Sequence, residues 1–171
     1  VPDFSIEKKL NSPVIGLDEV GRGPLAGPVI SCGCYFKNYT IHEDLYNLIG
    51  DSKKLSEKKR IISFKILQNL KKESIIDYRL GIANVEEIDK LNILEATKLS
   101  MKRVVDKFNL QKVQLIIDGN FSLNYKSYKE QSVIKGDDKS LSIAAASIIA
   151  KVHRDRLMQK LSIKYQNFGW E

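Results

Sequence analysis

The sequence predicts an α/β domain with a mixed sheet and helices packed on its faces. Three observations carry this expectation. Short apolar segments and longer segments of helical period follow one another as strand, strand, helix, strand, helix, strand, short strand, helix. The first two strands are joined by a Gly/Pro-rich turn, the mark of a hairpin, whereas most later strands are separated by helices. The 171 residues are 43% hydrophobic and 29% charged, an ordinary globular composition and enough chain for one core. A single domain over 1–171 is expected.

Val14 to Leu17 reads as a buried strand and Val29 to Phe36 as its hairpin partner. "DSKKLSEKKR" opens a helix in which Ser56 is the candidate N-cap and Ile61, Ile62, Phe64, Ile66 and Leu67 form the apolar side. "SIIDYRLGIA" is the next strand. Ile88 to Phe108 reads as one long helix with Leu94, Met101, Val104, Val105 and Phe108 near one face. Val113 to Asp118 is a strongly apolar strand ending in an acid, and "SVI" before Lys135 is a short strand. From Lys139 to Tyr165 runs the last helix, with Asp138 as its expected N-cap. Ala144, Ala145 and Ala146 let it pack close against a sheet.

No segment approaches the length of a membrane span, and no signal peptide is visible. The sequence begins at Val1 rather than Met, which reads as trimming. A net charge of +7 is compatible with a nucleic-acid partner and equally with a Lys-rich surface. Cys32 and Cys34 have no wider cysteine framework, which argues for a reducing compartment, hence the cytoplasm. With only His42 and His153 beside them, a zinc site is not expected, and the two thiols read as small buried hydrophobes.

The acids are the informative residues. Asp18 and Glu19 close the first strand, Asp118 closes "LIIDGN", and Asp137 follows a third strand in "SVIKGDDKS". Ligand sites in such sheets lie at the carboxyl ends of strands, so neighbouring strands would bring these carboxylates to one edge. Clustered carboxylates repel one another unless a cation joins them. Mg²⁺ takes oxygen ligands, typically one or two carboxylates plus phosphate oxygens. Two such ions can activate a water and stabilise the leaving oxygen of a phosphodiester. Each acid alone also fits a cap or turn. Adjacent Asp18 and Glu19 point to opposite faces of an ideal strand, and a bend at Gly21 and Gly23 would let both serve one site.

Taken together, "GLDEVGRGPLAGPV", "DSKKLSEKKR", "EIDKLNILEAT", "LIIDGN" and "VIKGDDKSLSIAAASIIAKVHRD" resemble bacterial type 2 ribonuclease H, ribonuclease HII. They occur in the family's order and cover the chain from about Val14 to Glu171. Arg22 distinguishes the glycine motif from that of the related ribonuclease HIII. The resemblance implies a ribonuclease H-like fold with a central mixed five-stranded sheet. It implies an endonuclease that hydrolyses the RNA strand of RNA/DNA hybrids and cuts 5′ of ribonucleotides embedded in duplex DNA, leaving 3′-hydroxyl and 5′-phosphate ends.

The resemblance also assigns roles. Asp18, Glu19, Asp118 and Asp137 are the family's catalytic, metal-binding acids, holding two Mg²⁺ or Mn²⁺ ions. The family usually has a small residue where this chain has Asp138, which leaves Asp137 as the ligand. Gly21, Arg22 and Gly23 form the loop that senses a 2′-hydroxyl, the group that separates RNA from DNA. Lys53 and Lys54 are phosphate contacts by the same resemblance, and Asn120 and Lys139 stand beside catalytic acids within reach of phosphate. His153 is assigned no catalytic role. The chain ends at "FGWE", where the family continues with a lysine-glycine-tyrosine segment and further helices, so a C-terminal tail is expected to be missing. A replication clamp would dock through that tail. The expected form is a monomer acting on nucleic acid, with no membrane contact. A truncated, non-catalytic nucleic-acid-binding relative is the alternative.

Overall fold

The computed structural model describes residues 1–23, 27–40, 43–50 and 54–164. In chain order the elements are α1 (Ser5–Leu10), β1 (Val14–Val20), β2 (Val29–Phe36), α2 (Glu43–Ile49), α3 (Glu57–Lys72), β3 (Ile76–Ala83), α4 (Val85–Leu91), α5 (Ile93–Asp106), β4 (Gln114–Asp118), β5 (Lys129–Val133), a 3₁₀ turn (Gly136–Asp138) and α6 (Leu141–Lys164). The strands form one sheet in the order β3-β2-β1-β4-β5. β1 and β2 are the expected antiparallel hairpin, β3 continues it antiparallel, and β4 and β5 add on the other side in parallel. The mixed five-stranded sheet is therefore as expected.

Strand alternation divides the core into two layers. Ile15 and Leu17 of β1 and Leu115 and Ile117 of β4 pack against Met101, Val104 and Val105 of α5. On the opposite face Cys32, Cys34 and Phe36 of β2 pack with Phe64 and Leu67 of α3 and with Ala144, Ala145, Ala146, Ile148 and Ile149 of α6. Helix α6 lies so close to β1 that a Cβ on Gly16 would stand 2.6 Å from the Ser142 carbonyl carbon and 2.7 Å from the Ile143 nitrogen. Small residues on both sides of this contact set the depth at which the last helix meets the strand that carries the first two acids.

Several elements differ from the sequence reading. β1 runs on to Val20, so Asp18 and Glu19 lie within the strand rather than at its end. The expected helix Ile88–Phe108 is two helices, broken at Asn92, whose φ of 77° is left-handed and whose side chain caps α5 by accepting the Glu95 N–H at 3.0 Å. An Asn side chain that satisfies a helix N-terminus competes with helix continuation. Asp138 does not cap α6: it is in the 3₁₀ turn, and the Ser140 hydroxyl accepts the Ile143 N–H at 3.1 Å instead. β5 starts three residues before "SVI", and α1 and α2 had no counterpart in the sequence reading. Ser56 is the N-cap of α3, accepting the Lys59 N–H at 3.3 Å.

Candidate active site

The parallel ladder of β1 and β4 ends at the pair Leu17 and Ile117. One residue further on, in the same register, come Asp18 and Asp118. Both follow residues that face α5, so both point toward the α6 face. The two carboxyl groups are neighbours that act on each other electrostatically. Asp18 is 5% exposed and also accepts the Glu19 N–H at 2.8 Å. Burial, then the nearby charges of Asp118 and Glu19, push the Asp18 carboxyl well above the ordinary carboxylate range.

Glu19 approaches from the other face of the strand. β1 stays paired with β2 through Val20, so the two acids need no break in the strand to influence one centre. Burial raises the Glu19 carboxyl, Arg22 lowers it, and Asp118 raises it again. One Glu19 oxygen stands 3.6 Å from the Arg22 guanidinium, and the other is buried with no hydrogen-bond partner. The third segment arrives through a backbone contact. Lys135 turns the chain with a φ of 54°, and the Gly136 N–H donates to Asp118 at 2.7 Å. Asp137 is next, only 2% exposed, while Asp138 faces solvent. The two neighbouring aspartates therefore differ sharply in burial.

These residues fit a hard divalent cation. A buried aspartate crowded by neighbouring carboxylates, and a buried carboxylate oxygen with nothing to bond, are both relieved by one. Among the described residues, no three Asp, Glu, His or Cys side chains form a ready-made cage for an ion. A metal here would take ligands from outside the protein as well, as Mg²⁺ does with phosphate oxygens.

The glycine loop is built by long-range contacts. Gly21 has a φ of +104°, and a Cβ there would meet the Arg154 side chain at 2.6 Å and the Pro28 carbonyl oxygen at 2.7 Å. The buried Arg154 Nε–H donates to that same carbonyl at 3.2 Å, tying α6 to the loop. Among the described residues, no atom lies within 4 Å of a would-be Cβ on Gly23. The Arg22 guanidinium carbon stands 5.8 Å from the Phe121 ring centre. Lys54, Asn120 and Lys139 are exposed, the latter two next to the acid segments and Lys54 in a turn before α3. Lys53 lies outside the described residues.

Three contributors were missed in the sequence. Glu7 is fully buried and accepts hydrogen bonds from the Ser140 hydroxyl and the Ser142 N–H, so it fixes the start of α6 beside Asp137. Nothing near Glu7 in the sequence signals this. Phe121, directly after "DGN", was visible as an aromatic but had no partner until the fold placed Arg22 over it. Arg154 was noted on the last helix without a role. His153 packs edge-on against Phe64 at 5.4 Å.

Comparison with known proteins follows the same lines. Residues 15–170 match the family model described as Ribonuclease HII. Ribonuclease HII of Wolbachia pipientis subsp. Culex pipiens is 46% identical over 169 residues, spanning 99% of this chain and 81% of the relative. That of Fusobacterium nucleatum is 48% identical over 162 residues, spanning 92% and 72%. Among solved structures, RNase HII of Archaeoglobus fulgidus, determined in a complex with PCNA, superposes with a TM-score of 0.75 at 25% identity over 92% of this chain and 80% of that one. Ribonuclease H2 of Pyrococcus horikoshii gives 0.74 at 30% identity over 92% and 79%. Bst-RNase HIII in complex with Mn²⁺ shares the fold, with a TM-score of 0.72 at 21% identity over 97% and 59%. The chain belongs to the ribonuclease HII family and is a ribonuclease H enzyme acting on RNA/DNA hybrids.

Proposed function

We propose that this enzyme also cuts on the 5′ side of ribonucleotides embedded in duplex DNA, leaving 3′-hydroxyl and 5′-phosphate ends, by a two-metal-ion mechanism. The observation that carries the reading is the aspartate pair at the end of the parallel ladder: Asp18, buried, beside Asp118 and Glu19. Asp18, Glu19, Asp118 and Asp137 would hold the ions, Mg²⁺ or Mn²⁺. A structure of the related fold containing Mn²⁺ is consistent with that choice. When bound, such ions supply Lewis acidity, activating the attacking water and stabilising the departing 3′ oxygen.

The remaining work falls to the chain's own groups. The Gly136 N–H orients Asp118, and the Glu19 N–H orients Asp18. Glu19 and Phe121 hold Arg22 at the loop beside the acids. Gly23, with no described atom within 4 Å of its would-be Cβ, and the backbone at Gly21 leave room for a ribose to approach, so that a 2′-hydroxyl is read by main-chain groups. Lys53, Lys54, Asn120 and Lys139 are proposed phosphate contacts. A replication clamp is the proposed protein partner, as the PCNA complex of the Archaeoglobus relative suggests. The work itself would be replication and repair in the cytoplasm.

The test uses a DNA duplex carrying one ribonucleotide, beside an all-DNA duplex, with Mg²⁺, Mn²⁺ or chelator. Cutting 5′ of the ribonucleotide with either metal, none with chelator and none in the control is expected. Asp18→Asn and Asp118→Asn should each abolish cutting and keep binding. Full cleavage by both variants overturns the assignment of the acids. Binding by the unmodified protein without metal-dependent turnover would instead make it a nucleic-acid binder.

A further inference from the structure

Two adjoining grooves open at the end of the sheet away from the acids, where β1, β4 and β5 begin and β2 ends. One has a volume of about 600 Å³ and carries Lys112, Lys126, Lys129 and Tyr128. The other, of about 390 Å³, carries Lys8, Lys37, Tyr35 and Tyr39. Ser12 belongs to both, so they form one continuous surface. No Asp or Glu lines either groove.

The cations elsewhere are commonly paired: Lys71 with Asp77, Lys98 with Glu95, Lys151 with Asp155 and Arg103 with Glu87. In the grooves only Lys126 has such a partner, Asp106 at 3.0 Å. Among the described residues, Lys8, Lys37, Lys112 and Lys129 have no carboxylate within ion-pair distance, and all four are exposed. Unneutralised like charges repel, and a polyanion relieves that repulsion while releasing its own counterions. The three tyrosines are half-buried between the lysines, so they offer anchored aromatic faces. A basic groove with interleaved aromatic rings is how sequence-tolerant binding of unpaired strands is built: phosphates go to the cations and bases to the rings.

We propose that this surface is a second nucleic-acid site that takes single-stranded DNA or RNA. A base-paired duplex hides its base faces from the tyrosines, which is why an unpaired strand is favoured. The site is distinct from the one that cuts. From Val14 to Asp18 the strand alone spans about 13 Å, and the sheet lies between the two ends. The groove therefore holds a strand that flanks the hybrid, or a second molecule, and not the nucleotides at the cut. Its role in catalysis rests on the ribonuclease H reading, whereas the binding itself does not.

The test is fluorescence anisotropy with a labelled oligo-dT of about 20 nucleotides in chelator, so that nothing is cut. The wild type should bind, and binding should survive saturation with a short blunt RNA/DNA hybrid. Lys112→Ala/Lys126→Ala/Lys129→Ala should weaken oligo-dT binding at least tenfold and lower the slope of log K against log salt by about 2, at about 0.7 per phosphate contact on single strands. Tyr128→Ala should weaken it by about tenfold, the lower part of the range for one stacked base. Both variants should stay folded and cleave the short blunt hybrid in Mg²⁺ at the wild-type rate, with Tyr128→Ala melting somewhat lower because its ring packs on the core and stacks on Tyr125. Three results would each overturn the proposal: oligo-dT binding unchanged in both variants, polyglutamate competing as well as oligo-dT, or loss of blunt-hybrid cleavage in the folded triple variant. Failure of the wild type to cleave the blunt hybrid would count against the ribonuclease reading and leave the binding result standing.

Discussion

Gly16→Ala probes how the last helix sets the candidate active site. The added methyl would meet the Ser142 carbonyl carbon at 2.6 Å and the Ile143 nitrogen and Ser142 Cβ at 2.7 Å each. Ordinary carbon contacts lie at about 3.5–4.0 Å, so α6 must retreat from β1 by about 1 Å, because none of these atoms can rotate away. Overpacking of this kind destabilises by about 1–3 kcal/mol. The stiffer unfolded chain of alanine offsets about 0.4–1 kcal/mol. A net loss of about 1–2 kcal/mol lowers the melting temperature by about 2–8 °C in a chain of this size. Activity should fall further than stability. The displaced helix starts just after Asp137, and Asp18 stands two residues from Gly16 on the same face of β1. A misplacement of about 1 Å can cost on the order of 100-fold in rate. Thermal melts and initial rates on an RNA/DNA hybrid measure both effects. Gly23→Ala is the stability control, since nothing among the described residues lies within 4 Å of its would-be Cβ. A Gly16→Ala protein that melts and cuts like the wild type would refute the seating of α6 on β1.

Three further perturbations follow from other parts of the structure. In chelator, Asp18→Asn should melt above the wild type, because it replaces a carboxyl whose charged form is disfavoured by burial and by the neighbouring Asp118 and Glu19. The amide can still accept the Glu19 N–H while donating to Asp118; added Mg²⁺ should then stabilise the wild type more than the variant, and a lower melt in chelator would contradict the reading. Hydrogen bonds from Arg103 lower the Glu87 carboxyl to about 2, below its ordinary value of 4.5. A depressed carboxylate contributes stability that is fully present above the unfolded pKa and is lost as pH falls through the folded one. The urea-midpoint difference between wild type and Glu87→Gln should therefore be constant above pH about 5 and shrink between about 4.5 and 2, and a difference that grew in acid would be incompatible. Glu7→Ala leaves Ser140 and Ser142 without their buried acceptor and should destabilise by about 2–3 kcal/mol, with faster amide exchange confined first to the start of α6; unchanged exchange there would mean Glu7 does not hold that turn.

The sequence by itself determined the sheet class, the β1–β2 hairpin, the Ser56 cap and the family. These rest on local signals: apolar periodicity, a Gly/Pro turn, a serine ahead of a helix, and short strings of residues in order. It also named the acids, because acids following apolar runs stand out along the chain. What it misjudged were boundaries decided by competition. Asn92 could continue a helix or start a new one, and its side-chain cap on α5 decided; Asp138 competed with Ser140 for the same cap, and the buried Ser140 took it. Only the tertiary structure decided that Asp18 and Asp118 meet, since that depends on the register of two strands 100 residues apart. Only it could pair Glu7 with Ser140, 133 residues away, set Arg22 over Phe121, and tie Arg154 to Pro28. The same holds for the basic groove, whose lysines come from four separate stretches of chain. Each of these meetings depends on which faces the packed core turns outward, and no local pattern of residues records that.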